Sequence, residues 1–464
     1  MIRFRLEVFF HAHRRKILAI AASSVLIVLV AVFAVPPVVR AVSERVEHRR
    51  AVNRFNNLSN EDFIYDFEYL MQVLEENWPF FNLSVSANGV DVRELADNVR
   101  AVLHGPGVGD PFEFLDMMRA EFFGPIGQLG HLWPIPGYDY FYGLQQWVAL
   151  RRSPWQVSRM IEFIHELISK SEVVMFYTML RYAQDDVSEP EEPEHGPVKE
   201  VFILDEGKTA MLRINRMIHF LHDINVPNRR MGYYEAMLYE FYGSIEGFEH
   251  FLIDFRGNRG GMHTFFDVFV VPPLLYERIY MSGYVFYMGG EYSIRAKETF
   301  DSRLVGYIED INVLYPAYIY EPLPYLDMNI DFTYVYSPFY SNSPARYFHE
   351  RWISLRDERV FDGKVWLLTD RATASAAEAA VAKLKYSNFA IVVGEVTRGM
   401  MGITYMPTRT MLSLPNTGIL IYFDVAYFTD IYGRPLQGYG IMPHYFNRPG
   451  MDALETVLAM IAER

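Results

Sequence analysis

Hydrophobic and polar positions along this chain change period several times, and each change predicts an element. Ile17 to Val35 is an unbroken run of apolar and small residues, preceded by Arg14-Arg15-Lys16 and followed by Pro36-Pro37. At about 1.5 Å per residue, such a helix is long enough to cross a hydrocarbon core of about 30 Å. Phe63, Phe67, Leu70, Met71 and Leu74 then recur at helical spacing behind Ser59-Asn60-Glu61-Asp62, a capping-box start, and Pro79 ends the pattern. Amphipathic helices are predicted over Arg93–Leu103 and Pro111–Phe123, and a more apolar one over Trp155–Tyr182.

Beyond the acidic, proline-rich stretch Asp185 to Pro197, the period shortens. Strands are predicted at Glu200–Leu204, Thr209–Ile214, Phe251–Phe255, Val365–Thr369, Phe389–Gly394, Met411–Leu414 and Gly418–Phe423. Helices are predicted at Tyr233–Tyr242, from Ser375 to Lys385, and from Asp452 to the end. This alternation predicts an α/β domain with mostly parallel pairing. The aromatic residues between Tyr307 and Phe348 read as packing of a long connection, or as the lining of a cleft for extended, apolar polypeptide. The expected organisation is a tail, anchor (17–35) and basic juxtamembrane segment in 1–50, a helical region in 51–184, a linker in 185–199 and an α/β core in 200–464.

Charge sharpens the anchor reading. Residues 1–50 carry nine Lys/Arg against three Asp/Glu, so the chain's net −14 becomes about −20 on the remainder. An acidic body offers no basic stripe for phosphates, which argues against a nucleic-acid partner. The basic cluster before Ile17 predicts a cytoplasmic amino terminus with the body outside, and a cleaved signal peptide would place the body outside as well. The chain has no cysteine, which excludes disulfides and a cysteine nucleophile, and no metal-binding motif such as HExxH, so no cofactor is expected.

Three stretches carry candidate chemistry. In Thr373-Ala374-Ser375-Ala376-Ala377-Glu378, a serine sits where an apolar strand gives way to a helix. Unsatisfied N–H groups and the positive end of the helix dipole there favour a developing oxyanion. Ser375 with Glu378 three residues on is equally a capping box. Gly127-Gln128-Leu129-Gly130-His131 presents one histidine on a glycine-punctuated turn, which reads as structural or functional. Arg256-Gly257-Asn258-Arg259-Gly260-Gly261 follows a buried strand, and its backbone could cradle phosphate or line an oxyanion hole. It matches neither the Walker nor the dinucleotide pattern.

Taken in order, these blocks resemble the carboxyl-terminal processing (tail-specific) serine proteases and the related tricorn-core peptidases. The resemblance rests on Asp66 to Phe80, Gly130-His131, Leu252 to Gly261, Thr369 to Glu378, Val393 to Thr397, and Leu436 to His444. It implies a crotonase-like (spiral ββα) core behind a helical region, and fits the tricorn-like branch, since no glycine-loop pattern of a PDZ insertion is present. Met400 stands where the processing proteases carry the lysine of a Ser–Lys pair, so that mechanism is excluded there. The tricorn-like arrangement implies Ser375 as nucleophile, His131 as base and Gln437 in the place of the supporting glutamate, with Gly260 or Gly261 and Ala376 forming the oxyanion hole. A glutamine carries no charge to stabilise an imidazolium, and Glu395 and Asp424 are acids that could stand in for it. Leu129 and His444 also depart from the family's blocks. The expectation is a membrane-anchored extracytoplasmic serine peptidase acting on peptides or protein tails. Its alternative is an inactive homologue that binds extended polypeptide or an apolar ligand.

Overall fold

In a computed structural model of the chain, the described residues are 52–151, 159–184, 198–217 except 206, 237–261 except 239, 266, 270–271, 274, 283–301, 330–336, 361–401, 409–430 and 436–463. The expected anchor (17–35) and most of the linker lie outside them, as does half of the expected 233–242 helix. Among the described residues no helix is long and apolar enough to cross a membrane.

The helical region forms as the spacing predicts. α1 (Asn60–Asn77) begins at the Ser59–Asp62 capping box and buries Phe63, Phe67, Leu70, Met71 and Leu74. α2 (Val92–His104) and α3 (Pro111–Met118) each start on an aspartate, Asp91 and Asp110, whose side chain accepts two backbone N–H bonds. α4 (Tyr138–Arg151), α5 (Arg159–Ile168) and α6 (Ser171–Gln184) follow, so the single helix expected over 155–182 is divided at Ser169–Lys170.

A six-stranded sheet organises the rest. β2 (Val198–Asp205) and β3 (Thr209–Ile214) form an antiparallel hairpin. β3 then pairs in parallel with β4 (His250–Asp254), β4 with β7 (Lys364–Thr369), β7 with β8 (Ala390–Gly394), and β8 with β12 (Tyr445–Phe446). The β4 and β7 residues alternate between two buried faces. Phe251, Ile253, Val365 and Leu367 join the main core, whereas Leu252, Trp366 and Leu368 pack with Val457 of α9 (Ala453–Ala462). A sheet covered on both sides explains why these strands read as continuous apolar runs. α8 (Ala376–Tyr386) is the crossover between β7 and β8.

Two small antiparallel sheets complete the frame. β1 (Trp133–Pro134), β10 (Leu420–Asp424) and β9 (Arg409–Ser413) make one. β11 (Ala426–Asp430), β5 (Gly283–Met288) and β6 (Ile330–Tyr336) make the other, and α7 (Glu291–Asp301) follows β5. β6 falls inside the aromatic stretch expected to be connection; its alternating Ile330-Asp331-Phe332-Thr333-Tyr334-Val335-Tyr336 pairs with β5. Asp66 of α1 ties the helical region to the β9–β10 turn, accepting from Asn416 N, Thr417 N and Thr417 Oγ1.

Candidate active site

Ser375, at the junction of β7 and α8, has φ 53° and ψ −118°. Such a backbone is costly for a side-chain-bearing residue, by about 1–3 kcal/mol, and persists only where its surroundings hold it. Here Asp370 Oδ1 accepts from Ala372 N and Thr373 N, Asp370 Oδ2 accepts from Gly257 N, and Ala374 N donates to Asn258 O. Glu378 supplies the firmest tether. Its buried carboxylate accepts from Ser375 N at 3.0 Å, Met400 N at 2.7 Å, Gly399 N at 2.6 Å and Thr397 Oγ1 at 2.5 Å. Burial pushes this carboxyl up to about 7, and those donors hold it below what burial alone would give.

His131 reaches the serine from the helical region. The backbone coils left-handed through Gly127, Gln128, Gly130 and His131. Glycine is required at 130, because a Cβ there would lie 2.6 Å from the Phe80 ring and from Trp78 Nε1. His131 Nε2 stands 3.1 Å from Ser375 Oγ. Its Nδ1 is 2.6 Å from Asp424 Oδ2, the last residue of β10.

This pairing follows from register. β1 and β10 are antiparallel with Trp133 opposite Tyr422, so stepping two residues back from Trp133 and two on from Tyr422 brings His131 across from Asp424. Gln437, expected to orient the imidazole, does not occupy that place. It lies behind the acid, with Nε2 3.5 Å from Asp424 Oδ2 and Oε1 accepting from Phe428 N. Of the two acids named as substitutes, Asp424 is at the imidazole, while Glu395 is half exposed and paired with Arg371. Leu129 is buried, and His444 pairs through its backbone and Nδ1 with Val392 on the far side of β8.

Electrostatics suit a neutral base beside an ionised acid. Burial, reinforced by the nearby Arg409 cation, holds the His131 imidazole below its ordinary range despite Asp424. Burial would raise the Asp424 carboxyl, but the charges and hydrogen bonds of His131 and Arg409 outweigh it and hold the group below the usual carboxylate range. Arg409 Nε lies 3.5 Å from Asp424 Oδ1.

The expected oxyanion donors are brought to the serine unequally. Gly260 packs so close that a Cβ would sit 2.7 Å from Ser375 Cβ and 3.0 Å from Ala376 N. However, its N–H donates to Asn258 Oδ1. Gly261 and Ala376 are then the members of that set with uncommitted N–H groups among the described residues. Met400, in the place of the family lysine, bonds through its backbone to Glu378. Among the described residues no group of three or more His, Asp or Glu side chains is placed to hold a metal ion.

The chain superposes on a protein of Parabacteroides merdae ATCC 43184 assigned as a peptidase, with 18% identity over 88% of this chain and 97% of that one and a TM-score of 0.48. For mature CPAF the values are 12%, 83%, 92% and 0.45, and for the photosystem II D1 C-terminal processing protease 16%, 55%, 49% and 0.30. No curated protein matches the chain in sequence. The sequence model of peptidase family S41 matches residues 208–446, more than half of the chain, and on that match this protein belongs to family S41, a family of serine peptidases.

Proposed function

We propose that the protein hydrolyses peptides or unstructured protein tails with Ser375 as nucleophile, His131 as general base and Asp424 as the supporting acid. The observation that carries this reading is the unbroken line from Ser375 Oγ through His131 to Asp424, at 3.1 and 2.6 Å. A carboxylate at Nδ1 keeps the proton on that nitrogen and leaves the Nε2 lone pair facing the serine hydroxyl. As Ser375 Oγ attacks the scissile carbonyl, its proton passes to Nε2, and Asp424 stabilises the imidazolium. The N–H groups of Gly261 and Ala376, at the positive end of α8, are the donors for the carbonyl oxygen as it gains charge. When the C–N bond breaks, Nε2 returns the proton to the leaving amine; water then attacks the acyl-enzyme by the same route.

Strain at Ser375 and the cage around Glu378 support the same reading, since a structural cap needs neither. Incubating the purified protein with an unfolded protein such as reduced, alkylated casein and identifying the products by mass spectrometry tests it. Ser375-dependent cleavage supports the reading, and identical product patterns for wild type and Ser375→Ala refute it.

The apolar run 17–35 and its flanking basic cluster support a single amino-terminal anchor with the peptidase body outside the cytoplasm. Resistance of the full-length protein to carbonate extraction, with its body digested by protease added outside intact cells, is the expected result. Release of the body into the medium would favour signal cleavage.

A further inference from the structure

A cavity lies against β9, β10, α5 and α7. β9 and β10 place Arg409 opposite Asp424 and Met411 opposite Tyr422. Arg409, Met411 and Tyr422 form one wall of a cleft whose other walls are α5 and α7. Met160, Phe163 and Ile164 supply its apolar lining, and Ser375, His131 and Asp424 are not on it.

Arg409 is the polar group that makes this cavity specific. Its side chain is 42% exposed, and among the described residues Nε, against Asp424, is its only guanidinium nitrogen with a partner. Among the described residues the two terminal amino groups of that fork have no acceptor. The other guanidinium, Arg295, is stacked over the Phe163 ring at 4.2 Å and bonded to Glu291. The cavity thus joins an apolar floor to a cationic fork that suits a planar carboxylate.

We propose that this cavity binds a small apolar carboxylate, whose oxygens accept from the terminal amino groups of Arg409 while its hydrocarbon part packs on Phe163, Ile164 and Met411. The ligand would be free rather than the end of a peptide substrate, because the cavity adjoins the acid and not the nucleophile. Its negative charge would offset the field of Arg409 at Asp424 and His131. Other charged or titratable groups facing the cavity are Arg295 with its partner Glu291, Tyr292 and Tyr422. Binding itself does not depend on the proposed peptidase function; only its effect on the triad does.

Calorimetric titration of the full-length protein with 4-phenylbutyrate and with 4-phenylbutyramide, which differ only in charge and one donor group, tests the assignment. The acid is expected to bind at least tenfold more tightly, and Met160→Glu to remove that advantage while Met160→Gln keeps it. Equal binding of acid and amide, or binding of neither, overturns the proposal. A leucine-ending hexapeptide acid that binds more tightly than 4-phenylbutyrate, with its carboxamide not doing so, would assign the cavity to a peptide end and also overturn it. In a separate arm, 4-phenylbutyrate is expected to move the acid limb of fluorophosphonate labelling at Ser375 to higher pH. Charge-dependent binding in a protein never labelled at Ser375 would uphold the cavity and refute the peptidase function.

Discussion

Asp424 Oδ2 lies 2.6 Å from His131 Nδ1 although 293 positions separate the two residues. Asp424→Asn should therefore leave the protein folded but lower kcat by about four orders of magnitude, as neutralising the acid does in the well-characterised serine triad. Gln437→Ala should lower kcat less than about tenfold. Its main effect should be a loss of about 1–3 kcal/mol in stability, because Phe428 N loses its buried acceptor. Steady-state kinetics and urea unfolding on the two variants check both.

The pH profile carries the charge relationships of the site. Burial and Arg409 both disfavour the imidazolium, so the acid limb of kcat/KM should fall below pH 6.5, the ordinary histidine value. Removing the cation with Arg409→Gln makes the imidazolium less unfavourable, and the limb should move to higher pH. A limb that stays still or moves down in the variant would contradict this account.

Gly130→Ala should cost more than a surface substitution. The residue has φ 57°, and the new Cβ would meet Phe80 and Trp78 Nε1 at 2.6 Å. An overall loss of about 1–3 kcal/mol is expected from strain and overpacking, with a larger fall in kcat than in substrate affinity because His131 is the next residue. Thermal unfolding and the split between kcat and KM test this.

How far the site was legible depends on how local each part is. The strand-to-helix junction at Ser375, the glycines at 130 and 260–261 and the helical stripe of α1 are local patterns, and all could be read directly. Asp424 is different: its place is fixed by the register of β1 on β10, which brings together segments far apart in sequence. In the sequence it stands only as one of two acids, with Glu395, that could take the place of Gln437. The sheet of β5, β6 and β11 was missed for a related reason. Its strands pair non-locally, and aromatic residues that pack a sheet resemble those that pack a connection.

Asp66 should make stability depend on pH. Burial raises its carboxyl from 3.8 to about 6 against the donors Thr417 and Asn416. A raised pKa means the folded state binds the proton more tightly than the unfolded chain. This contribution is thus fully present below about pH 4 and lost as pH rises through about 6. Its size is about 2–3 kcal/mol. Between pH 4 and 6.5 the stability difference between wild type and Asp66→Asn should change by roughly that amount in favour of the variant as pH rises, measured by urea unfolding. A constant difference would show that Asp66 does not titrate in that window.

The most direct test of the triad is the rate at which a fluorophosphonate modifies the intact protein, followed by mass and by peptide mapping. One adduct per chain is expected, on Ser375, with none on Ser375→Ala and rates at least about a thousandfold lower for His131→Ala and Asp424→Asn. Labelling of wild type at another residue, or labelling of Ser375 at an unchanged rate after His131 is removed, would contradict the assignment of Ser375, His131 and Asp424 as the catalytic unit.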